Sequence, residues 1–157
     1  MNLVAVDYQA DNAAELFAKS LHETGFGVLK NHPIQKQLVE DIYTTWQAFF
    51  DSEEKFDYTY NKGTQDGYFS KSVSEVAKGF KKKDIKEYFH YYPWGMCPPE
   101  LKQQLADYYA KTTSLAAELL SWVEDNAPDD VKANFNEPLS QMIDGSEQTL
   151  LRVLHYP

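Results

Sequence analysis

Gln148-Thr149-Leu150-Leu151-Arg152-Val153-Leu154-His155-Tyr156-Pro157 is the stretch on which the fold turns. It is leucine-rich with β-branched members and follows a turn signal at Asp144-Gly145, so it reads as a buried strand. A strand this apolar needs neighbours on both sides. The preceding chain offers only one or two candidates, so the sheet it joins is expected to be incomplete within these 157 residues.

Upstream, Pro98-Pro99 opens the longest expected helix, prolines being well placed at a helix start. Leu101, Leu105, Tyr108, Thr112, Leu115, Leu119 and Trp122 follow in steps of three and four to about Asn126, some 40 Å at about 1.5 Å per residue. A short helix is expected from Pro128 to Phe135, and one more turn from Pro138 to Ile143. Ile85 to Tyr92 is a strand candidate with imperfect alternation, because Tyr88-Phe89-His90-Tyr91-Tyr92 is aromatic at nearly every position.

Nearer the start, Leu3-Val4-Ala5-Val6 is a short strand candidate. Asn12-Ala13-Ala14-Glu15 has capping-box spacing and begins a helix that Gly25 ends. Gly25 to Lys30 is a second strand, and Asn31-His32-Pro33 turns the chain. A helix from Gln35 to Phe50 carries so wide an apolar arc that it must pack on more than one side. Asp51 to Lys55 breaks it and offers a new helix start. From Phe56 to Phe80 the pattern dissolves into an expected long irregular segment. The sum is roughly half helix, three or four strands, and no parallel βαβ phosphate-binding signature.

Composition bounds the function. The length fits one domain, with hydrophobic content of 43% and charged content of 25% in the globular range. Aromatic content is high, at 15%. An aromatic-rich core accounts for it, and an aromatic-lined cleft is the alternative. The net charge of −9 argues against nucleic-acid binding. The basic run Lys78-Gly79-Phe80-Lys81-Lys82-Lys83 is followed at once by Asp84 and Glu87, which suits a solvated loop. No apolar run has transmembrane length, and no signal-peptide pattern is present. Cys97 is the only cysteine, which fits a reducing cytoplasm and excludes a thiolate metal cluster.

Four histidines, His22, His32, His90 and His155, form no HxH, HxxxH or HxD spacing, so no local metal site exists. His22 should be exposed, and His32 should bond backbone. His90 and His155 lie on strands and could both enter a cleft, although structural roles are the expectation for each. No GxSxG, Walker-type or GxGxxG motif occurs. Cys97 has no partner histidine. Glu53-Glu54 and Asp129-Asp130 sit at expected helix starts, where the helix dipole accounts for them.

Several segments, in order, resemble one family. Gly25-Phe26-Gly27-Val28-Leu29-Lys30-Asn31-His32-Pro33-Ile34 resembles the GFF-x-(V/L)-x-NHGI segment of isopenicillin N synthase-like iron(II)/2-oxoglutarate dioxygenases. Phe49-Phe50 with Glu53-Glu54-Lys55 resembles its FF-x-LP-x-E-x-K. Asp66-Gly67-Tyr68 resembles its x-GY element, and Asp84 to His90 followed by Pro93-Trp94 resembles its D-(W)-KE-x-F strand. The long helix from Pro99 has its counterpart there, and Leu151 to Pro157 resembles LR-x-NYYP.

The resemblance implies an α+β chain: the helical N-terminal region of a jelly-roll (double-stranded β-helix) oxygenase with an incomplete β-sheet, residues 1–157 stopping before the metal-binding barrel half. It implies Fe(II) and 2-oxoglutarate for the complete protein and a small-molecule substrate. For this chain alone it implies neither cofactor, no catalytic or metal-ligating residue and no activity, since HxD and RxS are both missing from it. Tyr156 matches the NYYP tyrosine that binds the 2-oxoglutarate carboxylate in many members, the alternative being a barrel-packing tyrosine. Leu154 stands where the family often has asparagine, so one cosubstrate donor is missing. Tyr68 and Tyr88 to Tyr92 would lie near the substrate mouth. The C-terminal strand would offer unpaired backbone for self-association or pairing. A non-catalytic α+β interaction module, or one half of a split oxygenase, is the competing expectation.

Overall fold

The structure, a computed structural model, describes residues 3–73 and 85–157. The basic run from Lys78 to Lys83 and the Asp84 of the resemblance lie outside the described residues. Five strands are present among the described residues, where three or four were expected. Two compact units emerge, one from Met1–Gln35 and Ala110–Gly145, the other from Lys36–Tyr109 and Ser146–Pro157.

In the first unit, β1 (Ala5–Asp7) and β2 (Val28–Lys30) pair in parallel across α1 (Ala13–Thr24). This βαβ arrangement was not foreseen, but its first turn, Tyr8 to Asn12, contains no glycine with which to cradle phosphate. Both strands are shorter than the apolar runs suggested, and Leu3, Val4, Phe26 and Val28 stay exposed. The expected cap fails: Asn12 makes no side-chain capping bond, because its backbone (φ −104°, ψ 20°) has left the extended region that a capping residue needs. Gly25 does end the helix, at φ +77°, donating its N–H to Leu21 O at 2.9 Å. Asn31, at φ +58°, turns the chain after β2 and donates to both Asp7 carboxylate oxygens, at 3.0 and 2.9 Å. Those bonds, the Gln9 N–H and the Lys30 charge hold the Asp7 carboxyl below its ordinary value. Phe17 meets Trp122 edge-on at 5.9 Å.

The helix α3 (Pro99–Asp125) spans the expected residues. The expected helix after Pro128 shrinks to α4 (Asp129–Lys132), and Leu139–Ile143 forms the expected turn as a 3₁₀ helix.

The second unit holds an antiparallel sheet in the order β3 (Gly67–Phe69), β4 (Glu87–Tyr91), β5 (Leu151–His155). The register aligns Tyr68 with Phe89 and Phe89 with Val153. The segment expected to be irregular therefore contains β3 and the end of a 3₁₀ helix, Glu53–Tyr58. Gly67 makes β3's entry feasible: its φ is +102°, and a Cβ there would sit 2.6 Å from Tyr58 O and 2.7 Å from Met96 Sδ. α2 (Lys36–Asp51) covers one face of the sheet. Trp46, Phe49 and Phe50, at i, i+3 and i+4, gather around Phe89, whose ring is fully buried 5.0 Å from Trp46 and 5.8 Å from Phe49. Tyr68, Tyr91, Leu101 and Leu105 complete this aromatic core.

The last strand corrects the opening expectation. It runs only from Leu151 to His155 and is not buried on both faces: Leu151, Val153 and His155 are half-buried, while Arg152 and Leu154 are exposed. Among the described strands it has one neighbour, β4, so it forms an edge.

Candidate functional site

Pairing fixes which side chains share a face, since directly opposed residues point the same way. Glu87, Phe89 and Tyr91 face α2 with Tyr68, Leu151, Val153 and His155. Glu87 is 3% exposed and gathers three partners. Its Oε2 accepts from the Tyr68 hydroxyl at 2.5 Å and from Lys55 Nζ at 3.3 Å, and its Oε1 accepts from His155 Nδ1 at 2.9 Å. Burial pushes the carboxyl up, but hydrogen bonds from Tyr68 and His155 and the Lys55 charge outweigh it, so Glu87 ionises below its ordinary value. The Tyr68 phenol is pushed up by burial and by Glu87. His155 stacks on Phe50 at 5.1 Å, and its Nε2 lies 3.2 Å from the Gln47 amide. Both oxygens of the Glu87 carboxylate are thus engaged, and the cluster locks 3₁₀ helix and strands together.

The opposite face is built differently. Tyr60 stacks on Phe69 at 4.2 Å, and Phe69 on Tyr88 at 4.6 Å. The Arg152 guanidinium lies over the Tyr88 ring, 5.1 Å from its centroid. His90 packs against Phe69 at 4.5 Å, and its Nδ1 sits 3.0 Å from Gln65 O. A carbonyl only accepts, so Nδ1 carries the proton. Along β5 the exposed positions on this face are Arg152 and Leu154, and Tyr156 follows the same alternation at 57% exposure.

His90 and His155, each placed on a strand as expected, fall on opposite faces and do not converge. His22 is exposed, as expected, and His32 bonds backbone, its Nδ1 accepting from Ile34 N at 3.3 Å. Burial pushes the Cys97 thiol up to about 12, which makes it a poor nucleophile. Among the described residues, no three His, Cys, Asp or Glu side chains are grouped to hold a metal ion. Glu87 and His155 touch, but Lys55 and Tyr68 engage the other carboxylate oxygen, so the residues present do not fit an iron site.

Comparison with known proteins decides the family. The model described as non-haem dioxygenase in morphine synthesis, N-terminal, matches residues 3–111. The chain belongs to that family. A crystal structure from Shewanella oneidensis, of a protein provisionally assigned as an oxygenase, is 53% identical with a TM-score of 0.91, covering 100% of this chain and 55% of its own. A 2OG-Fe(II) oxygenase family protein from Caulobacter crescentus, provisionally so assigned, is 22% identical with a TM-score of 0.67, covering 79% of this chain and 48% of its own. A full-length Neurospora crassa protein, solved in complex with alpha-KG and 5-formyluracil, is 19% identical with a TM-score of 0.66, covering 98% of this chain and 51% of its own. These last two share the fold. No curated protein sequence matches. The dioxygenase N-terminal chain spans about half the length of the solved structures it matches. Its architecture is the α+β, helix-rich N-terminal region of a jelly-roll oxygenase, with an incomplete sheet.

Two features of the dioxygenase N-terminal chain escaped sequence reading. The Glu87 cluster joins residues from separate motifs, and only the register reveals that Glu87 and His155 share a face. Arg152 carried a readable signal: it is the chain's only arginine.

Proposed function

We propose that this chain is the helix-backed front portion of an iron(II)- and 2-oxoglutarate-dependent oxygenase that oxidises a small molecule. The match to the Shewanella oneidensis structure over the whole chain, at 53% identity, carries the reading. In it, the face bearing Arg152, Leu154 and Tyr156 is the reacting side, and the Tyr156 hydroxyl binds a 2-oxoglutarate carboxylate. Iron, when bound, supplies dioxygen activation, with ligands from outside these residues. Tyr156 would hold the cosubstrate, and the aromatic ladder would keep water from the sheet. The chain alone is inactive in this reading, and the net charge of −9, single cysteine and lack of a membrane-crossing helix among the described residues suit a cytoplasmic enzyme that binds no nucleic acid.

The test is the intact mass of the product of the native locus, with an assay for succinate formation. A mass well above 18.1 kDa, with 2-oxoglutarate turnover that Tyr156→Phe slows through a raised KM, is expected. The 18.1 kDa chain itself should form no succinate with Fe(II), 2-oxoglutarate and O₂. A native product of 18.1 kDa that is monomeric and does not bind 2-oxoglutarate would overturn the reading. That result would favour the second reading, an interaction module or split oxygenase pairing through the open edge of β5.

A further inference from the structure

We infer that His155 is the positioning residue of Tyr156: held at both ring nitrogens on the α2 side of the sheet, it fixes the direction in which Tyr156 leaves on the other side. Gln47 completes that hold. This rests on the reading above that the Tyr156 hydroxyl binds the cosubstrate.

β5 pairs with β4 as far as His155, which stands opposite Glu87. Tyr156 is the first residue past the ladder and is exposed, and Pro157 after it has no N–H to donate. A strand end of this kind frays unless a side chain ties it down. Here the tie is His155. Its side chain is only 14% exposed, and its ring lies 5.1 Å from that of Phe50 and 21° from parallel. Neighbouring residues of a strand point to opposite faces, so the His155 ring enters the core side while Tyr156 is carried on the other. The two residues share one peptide bond, and fixing the first orients the second.

The contacts also settle which His155 nitrogen carries the proton. Gln47 Nε2 lies 2.9 Å from Asp51 Oδ2. A carboxylate oxygen only accepts, so the Gln47 group there is the amide nitrogen, and its two N–H bonds are shared between Asp51 and His155. An amide nitrogen only donates, so His155 Nε2 accepts, at 3.2 Å. The ring proton is therefore on Nδ1 and is donated to Glu87 Oε1 at 2.9 Å. Donation runs from Gln47 to His155 to Glu87, and both ends are anchored. Asp51 holds Gln47 from one helical turn further on, and Lys55 and Tyr68 hold Glu87. A phenylalanine ring in this place would fill the space beside Phe50 yet could slide and turn there. Two bonds from opposite edges stop both motions, which is more than filling a core requires.

The test uses the full-length product of the native locus. Gln47 is exposed, so Gln47→Met removes the outer bond and leaves the core intact. It should raise the KM for 2-oxoglutarate roughly three- to tenfold with kcat unchanged, the worth of one ordinary hydrogen bond. In a Tyr156→Phe background the same change should move KM by less than about twofold, because the hydroxyl being positioned is gone. An equal rise in both backgrounds would make His155 a fold residue only and overturn the inference, as would no rise in either. A second readout needs no turnover. Nitrogen NMR of the signals that His155→Phe removes should show Nδ1 protonated and Nε2 bare, and Gln47→Met should shift the Tyr156 ring signals. Protonation at Nε2 in place of Nδ1, or Tyr156 signals unmoved in Gln47→Met, would overturn it too. If no succinate forms, the oxygenase reading falls, and the NMR outcome decides the inference by itself.

Discussion

The two faces of the β3-β4-β5 sheet use the same residue types to opposite ends. On the face toward α2, charge is consumed: Glu87 meets Lys55, Tyr68 and His155, and the aromatics around it close the core. On the other face, aromatics are stacked into a platform, and the Arg152 guanidinium lies over the Tyr88 ring. The first arrangement uses its polar groups to hold the fold. The second leaves Arg152 and Leu154 exposed. A buried carboxylate with its partners in place marks structure.

The contrast can be broken by mutation. The largest effect is expected from Phe89→Ala, which empties a fully buried site beside Trp46 and Phe49 and should cost about 3–5 kcal/mol in denaturant unfolding. Glu87→Gln should cost about 1.5–3 kcal/mol, because the Lys55 ammonium, 16% exposed, loses its counter-charge. A loss below about 0.5 kcal/mol there would mean that the cluster is not structural.

The acid limb sharpens the same point. Glu87 ionises below its ordinary value of 4.5 in the folded chain. Its contribution is therefore fully present above that value and lost as pH falls through the lower, folded value. Melting temperature followed from about pH 6 to about pH 3 should fall less steeply in Glu87→Gln than in the wild type. Identical slopes would show that Glu87 gains nothing from its neighbours. The smallest effect belongs to the other face: Arg152→Gln should alter stability by no more than about 1 kcal/mol, the scale of an exposed cation–π contact. A larger loss would place Arg152 with the structural residues and erase the difference between the faces.

Helices were legible because their apolar spacing is local. Leu101 and Leu105 mark the buried stripe of α3 from sequence alone, and Pro99 marks its start. The sheet was harder. Tyr88 to Tyr91 is buried on both faces, so no alternation of polarity shows which residue points where. The β1-β2 pair was legible as two strands, but its parallel register depends on α1 folding back between them. The edge position of β5 was hidden by leucines that look buried, although Leu154 is not. Tyr156 was visible only by resemblance. Arg152 could be seen as singular in composition, but its platform is assembled from Tyr60, Phe69 and Tyr88, which no local pattern joins.

Glu87 has one more consequence, for making hybrids. Its partners lie 32, 19 and 68 residues away along the chain, at Lys55, Tyr68 and His155. A crossover between Glu87 and His155 that imports a final strand without a histidine at that place would leave Glu87 Oε1 without its donor. Segment shuffling within this family therefore has to carry Lys55, Tyr68, Glu87 and His155 as one inherited block, even though their codons lie far apart in the gene.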